Sequence, residues 1–146
     1  ILYKKGATGS MQDVLANAGV LCFIADQNAG SKGEFVNFFG RPASTYKSIG
    51  LLAIQYNAPI VVGYARRRGA GFQYDIGMQE IIRPADWQGQ PDELHWITQR
   101  FSDAIERFIR EQPNEYWWIH RRWKNRPPWE KPGDGPKEAG AKYAKK

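Results

Sequence analysis

The residues best suited to chemistry in this sequence lie in a glycine-rich stretch, residues 26–40, which reads DQNAGSKGEFVNFFG. The apolar run VLCFIA of residues 20–25 comes directly before it and predicts a buried strand that ends at Asp26. In open α/β sheets, ligands bind in the crevice beyond the carboxyl ends of the strands. The carboxylate, amides and hydroxyl of this stretch are therefore a candidate site, although a solvated turn has the same composition.

A second polar run, Arg66 to Arg68, follows the apolar run IVVGYA of residues 60–65, which predicts another strand. If both strands run the same way, these arginines lie at the same sheet edge as Asp26 and Gln27. Guanidinium groups suit bidentate recognition of phosphate or carboxylate. A solvated turn is the alternative here too.

The two histidines restrict the possible catalytic mechanisms. Neither is followed five positions later by a carboxylate, the spacing that places an acidic partner beside a general base, because Arg100 follows His95 and Asn125 follows His120. The sequence has no nucleophile elbow, phosphate loop, dinucleotide fingerprint or metal-ligand cluster, so we predict neither a metal nor a cofactor. His95 is predicted to lie at the surface without a partner.

The elements that must position these residues follow from apolar periodicity. Helices are predicted over residues 10–18, 45–56, 92–111 and 113–123, and strands over residues 20–25, 60–65 and 72–82. The strand–helix–strand order predicts a βαβ unit with a parallel pair of strands, and residues 72–82 return as a hairpin. Cys22, the single cysteine, is predicted to be a buried, inert thiol.

The basic charge of the chain belongs to its C-terminal end. Residues 1–115 hold 12 lysines and arginines against 12 acidic residues, whereas residues 116–146 hold 9 against 3. Tyr116 to Lys124, YWWIHRRWK, alternates aromatic and cationic residues. This is typical of a helix that packs its tryptophans on the core, or of an element at a membrane interface. We predict a folded region over residues 1–127 and a disordered basic tail over residues 128–146.

Three blocks of the sequence together resemble the bacterial lipid A biosynthesis acyltransferases, a branch of the glycerolipid acyltransferase superfamily. The first block is Asp26-Gln27-Asn28 with the glycines and phenylalanines up to Gly40 and Ser44-Thr45. The second is Ala58-Pro59-Ile60-Val61-Val62 with Arg66-Arg67, and the third is PNEYWWIHRRWKNRP of residues 113–127.

The resemblance implies an α/β fold with a mixed, mostly parallel sheet flanked by helices, of which this chain is the C-terminal part without the N-terminal portion. It implies an enzyme that transfers a fatty acyl chain from acyl carrier protein to a hydroxyl of a lipid A precursor at the cytoplasmic face of the inner membrane. The expected partners are acyl carrier protein, the lipid A precursor and an anionic membrane surface, and no nucleic acid is expected. The family's His-x4-Asp/Glu motif and membrane anchor are expected before Ile1, so we expect this chain alone to be inactive.

On this resemblance, Asp26 is a supporting residue of the site and no catalytic residue lies in this chain. The expected substrate-binding residues are Gln27, Gly33, Phe35, Phe38, Gly40, Arg67, Arg121 and Arg122. The phenylalanines would flank the acyl chain and the arginines would meet phosphates. The competing interpretation is a non-catalytic basic, tryptophan-rich module that binds nucleic acid or an anionic membrane surface.

Overall fold

The computed structural model describes residues 7–130. Within this range, four α-helices and four strands follow one another: α1 (Ala7–Ala16), β1 (Glu34–Phe38), β2 (Arg41–Thr45), α2 (Lys47–Tyr56), β3 (Ile60–Arg67), β4 (Tyr74–Ile82), α3 (Pro84–Trp87) and α4 (Glu93–Glu111). The mixed α/β composition agrees with the predicted class.

Helix α4 is the element on which the rest of the chain packs. Its apolar stripe was predicted from the sequence, and the structure buries Ile97, Phe101 and Ala104 of this stripe in the main core. The Asp92 carboxylate accepts a hydrogen bond of 2.9 Å from the His95 N–H and so caps the helix. Helix α2, strands β3 and β4 and Trp87 contribute the other side of this core.

Strands β3 and β4 form an antiparallel hairpin, with Ile60 opposite Ile82 and Arg67 opposite Tyr74. The hairpin was predicted. The mostly parallel sheet was not found, because both sheets of the described residues are two-stranded and antiparallel. The run of residues 20–25, which was expected to pair with β3, is not part of either sheet.

Strands β1 and β2 form a second hairpin that the sequence did not predict. Its two-residue turn places Phe39 at φ 53° and Gly40 at φ 76°, the backbone of a tight hairpin turn. Helix α4 covers the outer edge of β1: the Gln99 amide accepts from the Asn37 N–H at 2.7 Å and donates to its carbonyl at 2.9 Å. The Glu106 carboxylate accepts from the Phe39 N–H at 2.5 Å.

The predicted strand of residues 20–25 is wrong for the described part of the chain. These residues have no regular secondary structure, and Val20 is 90% exposed. The physical reason is that no strand within residues 7–130 pairs with them, so an apolar run alone does not form a strand. Cys22, predicted to be buried, is exposed for the same reason.

The predicted helix of residues 113–123 is also wrong. A short 3-10 turn at Pro113–Glu115 is followed by consecutive tight turns, in which His120 N–H bonds to the Trp117 carbonyl and Lys124 N–H bonds to the Arg121 carbonyl. Of the predicted disordered tail, residues 131–146 lie outside the described residues. No helix within residues 7–130 is both long and apolar enough to span a membrane.

Candidate functional site

A shallow, open depression of about 440 Å³ lies where the residue 26–30 loop meets the C-terminal turns. We call it the C-terminal depression. Its lining combines exposed apolar side chains, cations and one imidazole: Asn28, Trp117, Ile119, His120, Arg121 and Lys124. The two stretches that the sequence singled out, residues 26–40 and 116–124, therefore meet at one surface.

Asn28 holds the two sides of this depression together. Its N–H donates to His120 Nε2 at 2.8 Å, and its amide nitrogen donates to the Arg122 carbonyl at 3.0 Å. Its amide oxygen accepts from the Gly30 N–H at 2.8 Å. Because Nε2 of His120 accepts this hydrogen bond, the neutral ring carries its proton on Nδ1. Nδ1 is therefore the ring nitrogen that can donate a hydrogen bond.

The neighbouring residues Arg121 and Arg122 lie in different environments. Arg121 is exposed and lines the C-terminal depression. Arg122 is only 1% exposed, and its guanidinium donates to the Ser44 carbonyl and, at 2.6 Å, to the Thr45 hydroxyl. It also lies 5.0 Å from the ring centre of Phe38, a cation–π contact. Arg122 thus ties the C-terminal turns to the end of β2.

Asp26 lies beside these groups. Its carbonyl accepts a 3.3 Å hydrogen bond from the Tyr116 hydroxyl. Burial, with the Asp26 carboxylate as a second cause, raises the pKa of Tyr116 to about 12. Burial also lowers the pKa of the Arg122 guanidinium, whereas the nearby Tyr116 and Asp26 act to raise this pKa. Asp26 therefore supplies negative charge near a buried cation.

Of the residues expected at the site, the phenylalanines are buried, and the glycines serve the packing and the turn of the β1–β2 hairpin. Phe38 is 1% exposed and packs on Trp123, and Phe35 meets Trp129 edge to face at 5.7 Å. A Cβ on Gly33 would lie 2.1 Å from the Ser44 hydroxyl oxygen, so the close approach that Gly33 allows is to β2. Gly40 serves the β1–β2 turn, and Gln27 is half-buried next to Asp26 in the loop.

The structure does not join the Arg66–Arg68 run to Asp26. Arg66 forms an ion pair with Glu111 at the end of α4, and Arg68 forms one with Asp75. Arg67 donates its N–H to the Glu115 carboxylate at 3.2 Å and its guanidinium to the Tyr74 hydroxyl at 3.3 Å. Within residues 7–130, no hydrogen bond or ion pair links Arg67 to Asp26, and Arg67 does not line the C-terminal depression.

His95 has a partner that the sequence did not reveal. Its Nδ1 lies 2.9 Å from the Glu34 carboxylate, and both side chains are about one-third exposed. The prediction that His95 lacks a partner was wrong because the two residues are far apart in sequence and belong to α4 and β1. This pair does not line the C-terminal depression.

Sequence reasoning also missed the lining residues Trp117, Ile119, His120 and Lys124 as individual site residues. Their composition was noticed, but a helix was assumed for them. On a helix, Trp117 and Arg121 share a face, while Ile119 lies elsewhere. Consecutive turns instead bring them to one surface, and no local sequence signal distinguishes such turns from a short helix.

The comparisons with known proteins agree with the resemblance noted above. The family model described as bacterial lipid A biosynthesis acyltransferase matches residues 1–125. A lipid A biosynthesis acyltransferase of Haemophilus influenzae is 28% identical over 130 residues, which are 87% of this chain and 40% of that protein. A lipid A biosynthesis myristoyltransferase of Escherichia coli is 29% identical over 109 residues, 74% of this chain and 32% of that protein. The chain belongs to the bacterial lipid A biosynthesis acyltransferase family.

The chain spans less than half the length of these relatives. A third relative, lipid A biosynthesis acyltransferase 1 of Shigella flexneri, is 29% identical and is covered over 32% of its length. The family assignment holds for the matched residues.

Proposed function

We propose that this chain is the C-terminal part of an acyltransferase that moves a fatty acyl chain from acyl carrier protein to a hydroxyl of a lipid A precursor. The family match supports the class of reaction. The C-terminal depression is proposed to bind a phosphate of the acceptor lipid at the cytoplasmic face of the inner membrane.

The observation that carries this proposal is the pairing of cations with exposed apolar side chains in one depression. Arg121 and Lys124 are exposed, and neither forms an ion pair within residues 7–130. Trp117 is 67% exposed and Ile119 is 82% exposed beside them. Tryptophan at headgroup depth with cations on phosphates is the pattern of a membrane interface.

In the transfer reaction, a base removes the proton of the acceptor hydroxyl while its oxygen attacks the thioester carbonyl. The new ester C–O bond forms, the C–S bond breaks, and the thiol of the carrier leaves with a proton. The 146 residues contain no His-x4-Asp/Glu motif. His120 Nε2 already accepts from Asn28, so this nitrogen is not free to act as the base. We therefore propose that the chain alone does not catalyse transfer.

Binding to vesicles tests the role of the depression. Phosphatidylcholine vesicles would carry either a phosphorylated lipid A precursor or the same lipid after its phosphates are removed. Each basic residue near an anionic membrane surface contributes about 1 kcal/mol to binding. The double substitution Arg121→Ala and Lys124→Ala is therefore expected to weaken binding to vesicles with the phosphorylated lipid by roughly 30-fold, and to leave binding to vesicles with the dephosphorylated lipid unchanged.

The matched control is Lys32→Ala with Lys47→Ala, which removes the same charge from two exposed positions outside the depression. Equal binding to both lipids, or equal losses in both double variants, would contradict the proposal. The competing nucleic-acid module predicts tight, salt-dependent retention of a single-stranded oligonucleotide. No feature of the family match favours it.

A further inference from the structure

His120 has one ring nitrogen that is bonded and one that is free for a ligand. Its Nε2 accepts the 2.8 Å hydrogen bond from the Asn28 N–H, so the neutral ring carries its proton on Nδ1. Within residues 7–130, Nδ1 has no hydrogen-bond partner. His120 is half-buried, but the buried side-chain atoms that lack a partner do not include Nδ1, so this nitrogen keeps contact with solvent.

The backbone around His120 is held on both sides. The His120 N–H donates to the Trp117 carbonyl at 3.0 Å, and the His120 carbonyl accepts from the Arg122 N–H at 2.8 Å. Asn28, which reaches the ring from the residue 26–30 loop, is itself held by the 3.0 Å bond from its amide nitrogen to the Arg122 carbonyl. A donor that is fixed before the ligand arrives loses little conformational freedom on binding.

The other lining residues define the chemistry of the group that Nδ1–H can meet. Arg121 and Lys124 line the same depression, and no acidic side chain within residues 7–130 does so. The lining therefore offers two cations and one neutral donor to a ligand. A phosphate fits this set, because it combines negative charge with several strong acceptor oxygens.

We propose that the Nδ1–H of His120 donates a hydrogen bond to a phosphate oxygen of the lipid that occupies the C-terminal depression. This inference rests on the proposed function and adds a specificity-determining residue to it. The Asn28 N–H holds Nε2 as the acceptor and so keeps the donor proton on Nδ1. Arg121 and Lys124 attract any anionic surface, whereas the directional bond from His120 selects a phosphate seated in the depression.

Nuclear magnetic resonance of the imidazole nitrogens tests the donor directly, because these 146 residues contain only two histidines. The chain would carry isotope-labelled histidine and be studied at about pH 8, where an ordinary imidazole is neutral. Inorganic phosphate would be titrated in and compared with sodium chloride at equal ionic strength. His95 is the internal control, because its Nδ1 bonds to Glu34 and it does not line the depression.

We expect the Nδ1 proton of His120 to move downfield as phosphate is added, while Nε2 keeps the signal of an unprotonated nitrogen and the His95 ring is unchanged. His120→Gln removes the signal and so assigns it. A proton on Nε2 in the free chain would overturn the inference. So would a response to phosphate no larger than the response to chloride, or equal shifts at both histidines.

Vesicle binding tests the same donor against the lipid. His120→Phe removes both ring nitrogens and is expected to weaken binding to phosphatidylcholine vesicles with the phosphorylated lipid A precursor by about tenfold. His120→Gln should restore most of this loss, since an amide can both accept from the Asn28 N–H and donate to phosphate. His95→Phe, the matched control, should bind like the parent chain.

Phosphatidylglycerol vesicles separate a seated phosphate from a general anionic surface. Binding to them should be the same for the parent chain, His120→Phe and His95→Phe. Equal losses for His120→Phe on both kinds of vesicle would assign His120 a purely structural role and overturn the inference.

The two proposals fail in different ways. If the double substitution of Arg121 and Lys124 abolishes the preference for the phosphorylated lipid while His120→Phe binds it fully, the proposed function stands and this inference is wrong. If His120 responds to inorganic phosphate but phosphorylated and dephosphorylated lipid bind equally, the proposed lipid role is wrong and His120 belongs to a site for free phosphate.

Discussion

Arg122 and Arg121 provide a sharp test of the site because adjacent arginines are placed in opposite environments. Truncation of Arg122 to alanine removes two hydrogen bonds from a charged donor, to Ser44 and Thr45, each worth about 1.5–3 kcal/mol. Part of this loss is offset, because the variant no longer has the desolvation cost of burying the Arg122 guanidinium, which forms no ion pair within residues 7–130. We expect a net loss of about 3 kcal/mol in the free energy of unfolding.

Urea denaturation followed by tryptophan fluorescence measures this loss, and a melting temperature lower by about 9 °C should accompany it. Arg121→Ala is the matched control and should stay within about 0.5 kcal/mol of the parent chain. Arg122→Met should cost less than Arg122→Ala, because methionine fills more of the buried space that the arginine leaves. In both variants the Ser44 carbonyl keeps the Ala29 N–H and the Thr45 hydroxyl keeps the Ala43 carbonyl as partners. The reasoning is refuted if Arg122→Ala leaves stability unchanged while it weakens binding of the phosphorylated lipid.

Two further predictions concern packing and pH. Gly33→Ala should cost about 1–3 kcal/mol, because a Cβ would lie 2.1 Å from the Ser44 hydroxyl oxygen. Gly71→Ala, where nothing lies within 4 Å, should be near neutral in the same urea assay; equal effects would contradict this packing. Tyr116 has a folded pKa of about 12 against 10 for the free side chain, so its contribution to stability is fully present below pH 10 and is lost as pH rises towards 12. Tyr116→Phe should flatten the decline of urea stability over this range, and an unchanged decline would count against the raised pKa.

Elements with a strong local signal were predicted correctly from the sequence. Helix α4 was predictable because its apolar period and its capping Asp92 agree. The β3–β4 hairpin was predictable because a glycine-rich turn separates two apolar runs. The β1–β2 hairpin was missed because its turn is Phe39-Gly40, and phenylalanine at positive φ is not a typical turn signal.

Features that depend on a distant partner were not predictable. A strand needs a neighbour, and residues 20–25 have none within the described chain, so their apolar composition was misleading. Arg121 and Arg122 are indistinguishable by residue type, and only the fold decides which of them is buried. The meeting of Asn28 with His120 was likewise invisible, because 92 positions separate them.

The side chains of α4 that bond to the β1–β2 hairpin also protect the edge of this small sheet. Because Gln99 and Glu106 occupy the outward N–H groups of Asn37 and Phe39, this border of the small sheet cannot recruit a foreign strand without first losing those bonds. Stacking of molecules into fibrils through this border is therefore disfavoured. Replacing either α4 residue by alanine would leave the N–H group of Asn37 or Phe39 without its partner and would expose this edge to pairing with another strand.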